Sequence, residues 1–108
     1  GNNGFSSIKD MGSVKEFIDL TIEGAKSKFS DVTVLDYGET KIDNEPAYWV
    51  EYSASSQVLD QHINMINLIY FIAKGDTIYS ITAGATTNEY EKYKPLFTQT
   101  ASSFVLEN

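Results

Sequence analysis

A carboxylate and the lone histidine of the chain stand two residues apart, at Asp60 and His62. Alternate residues of a β-strand point to the same face, so these side chains could bind one metal ion or work as an acid–base pair. A metal site generally needs three or four ligands, and the sequence has no second histidine and no cysteine. The spacing therefore favours a solvated strand edge, and we expect no metal and no cofactor.

Aromatic residues alternate along the segment AYWVEYSAS. In a strand, Trp49 shares one face with Glu51, whereas Tyr48 and Tyr52 share the other face. An exposed aromatic set beside a carboxylate is typical of a protein-binding surface. The alternative is that a helix covers one set and that the other set lies at the end of a sheet. On this pattern we predict Tyr48, Trp49 and Tyr52 as candidate binding residues.

Four other tyrosines, Tyr70, Tyr79, Tyr90 and Tyr93, could form an aromatic cage. We expect instead that their rings pack into the core and that their hydroxyls reach solvent. The sequence has no Gly-rich phosphate-binding loop, and no G-x-S-x-G segment that would expose a nucleophilic serine. Because no catalytic set converges in the sequence, we expect that the protein is not an enzyme.

Composition limits the partners of the chain. Its 108 residues suit a single domain, residues 1–108, in which the polar residues 1–7 form a flexible leader. The formal net charge is −7, and all the basic residues are scattered lysines. Phosphate backbones need clustered basic residues, so nucleic acid and anionic membranes are poor partners. The longest apolar run is too short to span a bilayer, so we expect no membrane insertion of the domain.

Two segments have helical periodicity. Apolar residues recur every three or four positions over residues 14–29, and Ser13 with Glu16 matches a capping box. A second stripe covers residues 87–104 but contains Pro95. Proline is tolerated in the first turn of a helix, where its missing N–H needs no partner. The sequence therefore predicts a short helical turn over residues 87–94 and a main helix that starts at Pro95.

Strand patterns fill the middle of the chain. The predicted strands cover residues 31–42, 47–55, 61–74 and 77–85, with turns at residues 43–46 and 75–76 and a loop or bulge at residues 55–60. Residues 5–9 add a short possible edge strand. The third long strand is apolar on both sides, which is typical of a covered sheet centre. The predicted class is α+β: a three-layer α-β-α sandwich with a central antiparallel sheet of four to five strands and one helix on each face.

Residues 77–106 resemble the C-terminal signature of the PsbP-like family. In this sequence the matching positions are Tyr79, Ile81, Thr82, Tyr90, Tyr93, Pro95, Phe97, Ser103 and Phe104, and the earlier segment EPAYWVEY resembles the Pro-Ala-Tyr strand start of the family. The resemblance covers about residues 5–106. Relative to the family, we expect the chain to lack the N-terminal hairpin, and Glu45 stands where the family often has a glycine.

This resemblance implies the α-β-α sandwich that PsbP shares with nuclear-import factors of the Mog type. It also implies a bacterial exported protein or lipoprotein, with a possible lipid anchor upstream. We therefore expect a non-enzymatic, extracytoplasmic binding or accessory domain, secreted or anchored at the cell surface, that contacts an unknown protein partner. The alternative is a small-ligand-binding or acid–base enzyme domain with a cystatin-like pocket, in which a curved sheet cradles one helix.

Overall fold

The computed structural model describes residues 13–74 and 77–103. The elements follow in the order α1 (Val14–Lys26), β1 (Ser30–Ile42), β2 (Glu45–Val58), β3 (Gln61–Lys74), β4 (Thr77–Thr86) and α2 (Thr87–Ser102). The strands form one antiparallel sheet in the order β1-β2-β3-β4. This α+β arrangement confirms the predicted sequence of one helix, four antiparallel strands and a second helix. The strand predicted at residues 5–9, the turn at 75–76 and Phe104 lie outside the described residues.

Helix α1 begins where the sequence predicts. The Ser13 hydroxyl accepts the backbone N–H of Glu16 at 3.2 Å, and the Glu16 carboxylate accepts the backbone N–H of Ser13 at 3.4 Å. This capping box satisfies two N–H groups that have no partner inside the helix. The helix buries one stripe, made of Ile18, Ile22 and Ala25.

The stripe of α1 packs on one face of the sheet. Val50 of β2 pairs with Ile69 of β3, and Tyr48 pairs with Phe71, so the four side chains share that face. Val50, Tyr52 and Ala54 are buried together with the α1 stripe, and Ile69 and Phe71 pack against this cluster. Burial of this face against α1 removes apolar surface from water and so stabilises the fold.

A second cluster contains strand side chains that point to the opposite side of the sheet from those packed against α1. Ile42, Ala47 and Ile72 are buried together with Ala101 of α2. The exposed fraction of Leu68, which belongs to the same alternating set of β3, is only 2%. On the α1 side of β3, Ala73 is buried and Ile69 and Phe71 are half-buried, so the prediction that β3 carries covered apolar residues on both sides is confirmed. Within the described residues, neither helix is long and apolar enough to cross a membrane.

The two described hairpin turns differ from the predictions in detail. The first is a two-residue turn at Asp43 and Asn44, both in the left-handed region, with φ of 52° and 63°. It lies inside the predicted segment. The loop predicted at residues 55–60 is wrong: β2 continues to Val58, and only Leu59 and Asp60 turn. Pairing with β3 holds residues 56–58 in the sheet. Local turn propensity does not predict this pairing, because it depends on another strand.

Strand β1 does not follow strict alternation along its length. Strict alternation would place Tyr37 on the opposite side from Val34. The register shifts between Val34 and Asp36, so Val34 pairs with Tyr52, and Tyr37 pairs with Val50 of the same face. One extra residue at a β-bulge changes which face the following side chains occupy.

Pro95 lies inside a continuous helix, so the predicted two-piece ending is wrong. Helix α2 runs from Thr87 to Ser102, and its buried residues, Tyr90 and Ala101, stand on either side of the proline. Pro95 has no N–H to donate to the carbonyl four residues earlier. Contacts with the sheet at both ends of α2 offset that loss.

Candidate functional site

The three predicted binding residues do not share one exposed surface. Tyr48 and Tyr52 lie beneath α1 with exposed fractions of 2% and 5%, and the ring centroid of Phe17 lies 5.8 Å from that of Tyr48. Trp49 belongs to the other face, is half-buried and lies opposite Gly38 of β1. A Cβ atom added at Gly38 would lie 3.1 Å from the indole nitrogen of Trp49. The structure corrects the idea of a joint exposed patch. A contact between any one of these residues and a partner stays a prediction.

The Asp60 and His62 side chains are both exposed at the β2–β3 hairpin, Asp60 in the turn and His62 in the second residue of β3. In the described part of the chain, no three His, Cys, Asp or Glu residues come close enough to hold a metal ion. The pair thus occupies a solvated strand end, as the spacing indicates.

A polar cluster, buried except for a lysine side chain that is 40% exposed, connects the sheet to α2. The Tyr90 hydroxyl donates to the Glu51 carboxylate at 2.6 Å, and the Lys94 ammonium lies 2.9 Å from the same oxygen. The Tyr90 residue is 1% exposed and the Glu51 side chain 10% exposed. Short hydrogen bonds to a charged acceptor are stronger than neutral ones. We call Glu51, Tyr90 and Lys94 the carboxylate cluster.

The electrostatics of the carboxylate cluster hold each group in one protonation state near neutral pH. Burial raises the pKa of Glu51, but the hydrogen bonds from Tyr90 and Lys94 outweigh burial, and the pKa lies below its usual value. Burial and the hydrogen bond to Glu51 raise the pKa of Tyr90. The hydrogen bond to Glu51 raises the pKa of Lys94. Groups shifted away from neutrality in this way suit a structural clamp better than proton transfer.

The sequence pattern indicates only part of this cluster. The prediction that the Tyr90 hydroxyl reaches solvent is wrong, because the hydroxyl donates to the buried Glu51 carboxylate. A signal was present: Tyr90 and Lys94 are four residues apart, so they share one face of a helix. The carboxylate that they meet lies 39 residues away from Tyr90, and only strand pairing and helix docking bring it there.

An open cleft of about 710 Å³ lies where β2 and β3 extend past the start of α2. Its lining includes Ser53, Ser55, His62, Asn64 and Asn88. The Ser55 hydroxyl donates to the side-chain oxygen of Asn64 at 2.7 Å. The cleft could hold a small polar molecule by hydrogen bonds.

The β2–β3 hairpin projects beyond its neighbours. Strand β1 pairs with β2 only as far as Ser55, and β4 pairs with β3 only from Met65. At its end, Val58 is 51% exposed and Leu59 is 91% exposed. We call Val58 and Leu59 the hairpin tip. Leu59 has a φ of 58°, a left-handed conformation that favours glycine, asparagine or aspartate over leucine.

Comparisons with known proteins agree on the fold. The family model for PsbP matches residues 2–106. The structure is similar to the crystal structure of PA94, a protein of unknown function from Pseudomonas aeruginosa. The TM-score is 0.73 at 12% sequence identity, over 95% of this chain and 69% of that chain. No curated protein matches the chain.

Proposed function

The chain belongs to the PsbP family, and on this premise we propose that it is a non-enzymatic binding or accessory domain that acts through protein–protein contacts. The observation that carries the proposal is the hairpin tip. A leucine that is 91% exposed gains little from burial within its own fold, and its backbone φ of 58° is unfavourable for a branched side chain. Such a residue suits contact with another molecule.

The two-residue turn between β1 and β2 shows which residue types local backbone stability favours at positive φ. There, Asp43 and Asn44 adopt positive φ, and both residue types tolerate that conformation. At the hairpin tip a leucine takes the strained position instead. Full burial of a leucine side chain in a partner would contribute about 1.5–3 kcal/mol.

The chemistry around the tip favours a protein partner with an apolar pocket. Asp60 follows Leu59 directly and is exposed, and the formal net charge of the chain is −7. An anionic lipid surface would repel both the Asp60 carboxylate and the negatively charged chain as a whole. A pocket with an apolar floor and basic groups at its rim would complement Leu59 and Asp60 together.

The carboxylate cluster supports the non-enzymatic part of the proposal. Glu51 is the carboxylate that α2 covers, and it is already occupied by the Tyr90 hydroxyl and the Lys94 ammonium. A general base must reach the proton of a substrate, and a carboxylate held in this way is not available for that.

Capture from a native extract with two matched variants tests the proposal. Leu59→Asn removes the apolar group and places a residue that tolerates positive φ, whereas Leu20→Asn changes a leucine of α1 that is 73% exposed. We expect the wild type and Leu20→Asn to retain the same partner and Leu59→Asn to lose it, while all three unfold at similar temperatures. Equal retention by both variants would contradict a role for the hairpin tip.

We further propose an extracytoplasmic location, secreted or anchored at the cell surface, and a three-layer α-β-α architecture. The separate clusters that α1 and α2 form with alternating strand residues support the layered arrangement. An export signal with a lipid-attachment cysteine in the full gene product would support the location. Localisation of the full-length protein to the cytoplasm would contradict it.

The cleft favours a second candidate, a domain that binds a small polar ligand or performs acid–base chemistry. The observation behind it is the position of His62 among serine and asparagine side chains in a space of about 710 Å³. A thermal-shift screen with small acids and divalent metals tests it, because a ligand at 100 times its dissociation constant adds about 2.7 kcal/mol of stability. A shift that is lost in His62→Ala would favour this candidate over the first.

A further inference from the structure

Strand β4 has the properties of an edge that is open to pairing. Among the described strands it pairs only with β3. Its sequence, TIYSITAGAT, has no charged residue and no proline. Its ten residues pair with β3 in an unbroken register from Thr77 to Thr86. Edge strands are usually protected from further pairing by charges, prolines or bulges, and β4 has none of these.

The opposite edge shows the contrast. Strand β1 carries exposed charged side chains at Asp31, Asp36, Glu39 and Lys41. Its register is broken at two places, between Ser30 and Thr33 and between Val34 and Asp36. Charges and bulges of this kind discourage the addition of another strand. Within the described residues, β1 thus has the features that protect an edge, and β4 does not.

Helix α1 leaves the sheet beside β4 partly uncovered. Ile78, Ser80 and Thr82 are exposed on the same side of the sheet as α1. A groove of about 460 Å³ runs between α1 and this part of the sheet, and its floor includes Ile69 and Phe71, which are half-buried. A further strand paired with β4 would extend the floor of this groove.

We propose that β4 pairs with β4 of a second copy of this chain, antiparallel and about a two-fold axis, so that two four-stranded sheets become one. Two molecules that each carry a charge of −7 repel each other, and the repulsion is smallest where the contact strand has no charge. The same neutrality gives a basic or acidic peptide no charge to recognise on β4. An antiparallel pair of identical strands is self-complementary, as a two-fold interface requires.

Sedimentation equilibrium over a range of protein concentrations tests this pairing. We expect the wild type to convert from monomer to dimer as concentration rises. Thr82→Lys places a like charge on both sides of the new interface and should weaken the association about tenfold or more. Thr40→Lys, the matched change on β1, should leave it unaltered, because Thr40 is exposed on the other edge.

Hydrogen exchange gives a second readout that does not depend on either variant. In the wild type, backbone amides of β4 should exchange more slowly at high concentration than at low concentration, and those of β1 should not change. A wild type that stays monomeric at its solubility limit would overturn the proposal. So would a dimer that Thr40→Lys weakens and Thr82→Lys does not, or association that continues beyond two copies. Because no partner protein enters these experiments, they are independent of the proposed function.

Discussion

Glu51 is a buried acidic residue between two buried residues of β2, and its hydrogen-bond partners explain how the fold accommodates its charge. A buried carboxylate is costly unless it is paired and hydrogen-bonded, and Glu51 receives both a hydroxyl and an ammonium group from α2. Since both donors belong to one helix, the cluster also fixes how that helix lies on the sheet.

Removal of the Tyr90 hydroxyl should therefore destabilise the fold. In Tyr90→Phe the carboxylate retains Lys94 but loses its shortest hydrogen bond, and we expect the free energy of unfolding to fall by about 1–3 kcal/mol. Tyr93→Phe, on the same helix at a residue that is 39% exposed, should change it by less than about 0.5 kcal/mol. Urea unfolding of the three proteins measures the difference, and equal stabilities would show that the Tyr90–Glu51 hydrogen bond contributes nothing.

The carboxylate cluster also predicts a pH dependence. The pKa of Glu51 is lower in the folded protein than its ordinary value of 4.5. Its ionised form therefore contributes stability that is present above about pH 4.5 and is lost as the pH falls through the folded pKa. In thermal unfolding, wild type should exceed Glu51→Gln in melting temperature at about pH 7, and the gap should narrow towards about pH 3. A gap that does not change with pH would contradict the assignment.

Gly84 illustrates a second constraint on a single residue. It lies opposite Asn67 in the β3–β4 pair, and a Cβ at this position would collide with the Asn67 side-chain oxygen. Asn67 is buried and hydrogen-bonds the Tyr52 side chain. The close approach of a buried amide therefore explains the glycine at this position.

At the level of elements, α2 has poor local support. It lacks a side-chain cap at Thr86 and contains Pro95 in its interior. The Thr98 hydroxyl donates to the carbonyls of Lys94 and Pro95, at 3.1 and 3.0 Å. Contacts of Tyr90 and Ala101 with the sheet hold the helix in place, so tertiary packing overrides the helix-breaking effect of proline.

Replacement of Pro95 should stabilise the protein. Pro95→Ala restores a backbone N–H and removes the ring at an exposed position, where an interior proline costs about 3 kcal/mol. Because α2 is already adapted to the proline, we expect a gain of about 1–3 kcal/mol. Thr100→Ala, another exposed position of α2, should give a much smaller change in urea unfolding. A loss of stability in Pro95→Ala would mean that the bend is needed for packing.

In the described part of the molecule, one sheet carries apolar clusters on both sides, and the molecule is elongated, with a longest dimension of 50 Å. The clusters of α1 and α2 use alternating residues of the same strands. Loss of packing on one side should therefore be felt mainly on that side.

Cavity variants on the two sides test this independence. Ile18→Ala and Ile72→Ala remove side chains that are 1% and 0% exposed, and each should lower the free energy of unfolding by about 2–5 kcal/mol. In the double variant the two losses should add to within about 0.5 kcal/mol, as for sites without shared contacts. A strongly non-additive result would contradict the layered architecture.

Local chemistry in the chain was enough to predict α1, the succession of four antiparallel strands along the chain, and the family. The capping box at Ser13 and Glu16 is a short-range motif, and the two-residue period of β3 shows both of its buried sides. Each of these features depends on residues close in sequence. The match of residues 2–106 to the PsbP family agrees with the resemblance carried by the C-terminal signature.

Tertiary structure decided the features that join distant residues. Docking of the helices on the sheet decides three of these features. Glu51 meets Tyr90 and Lys94, α2 continues through Pro95, and Tyr48 and Tyr52 are buried. The bulge in β1 likewise changes the face of Tyr37, and periodicity alone cannot show an added residue. Composition and spacing describe the side chains available, whereas docking of helices on a paired sheet determines which of them meet.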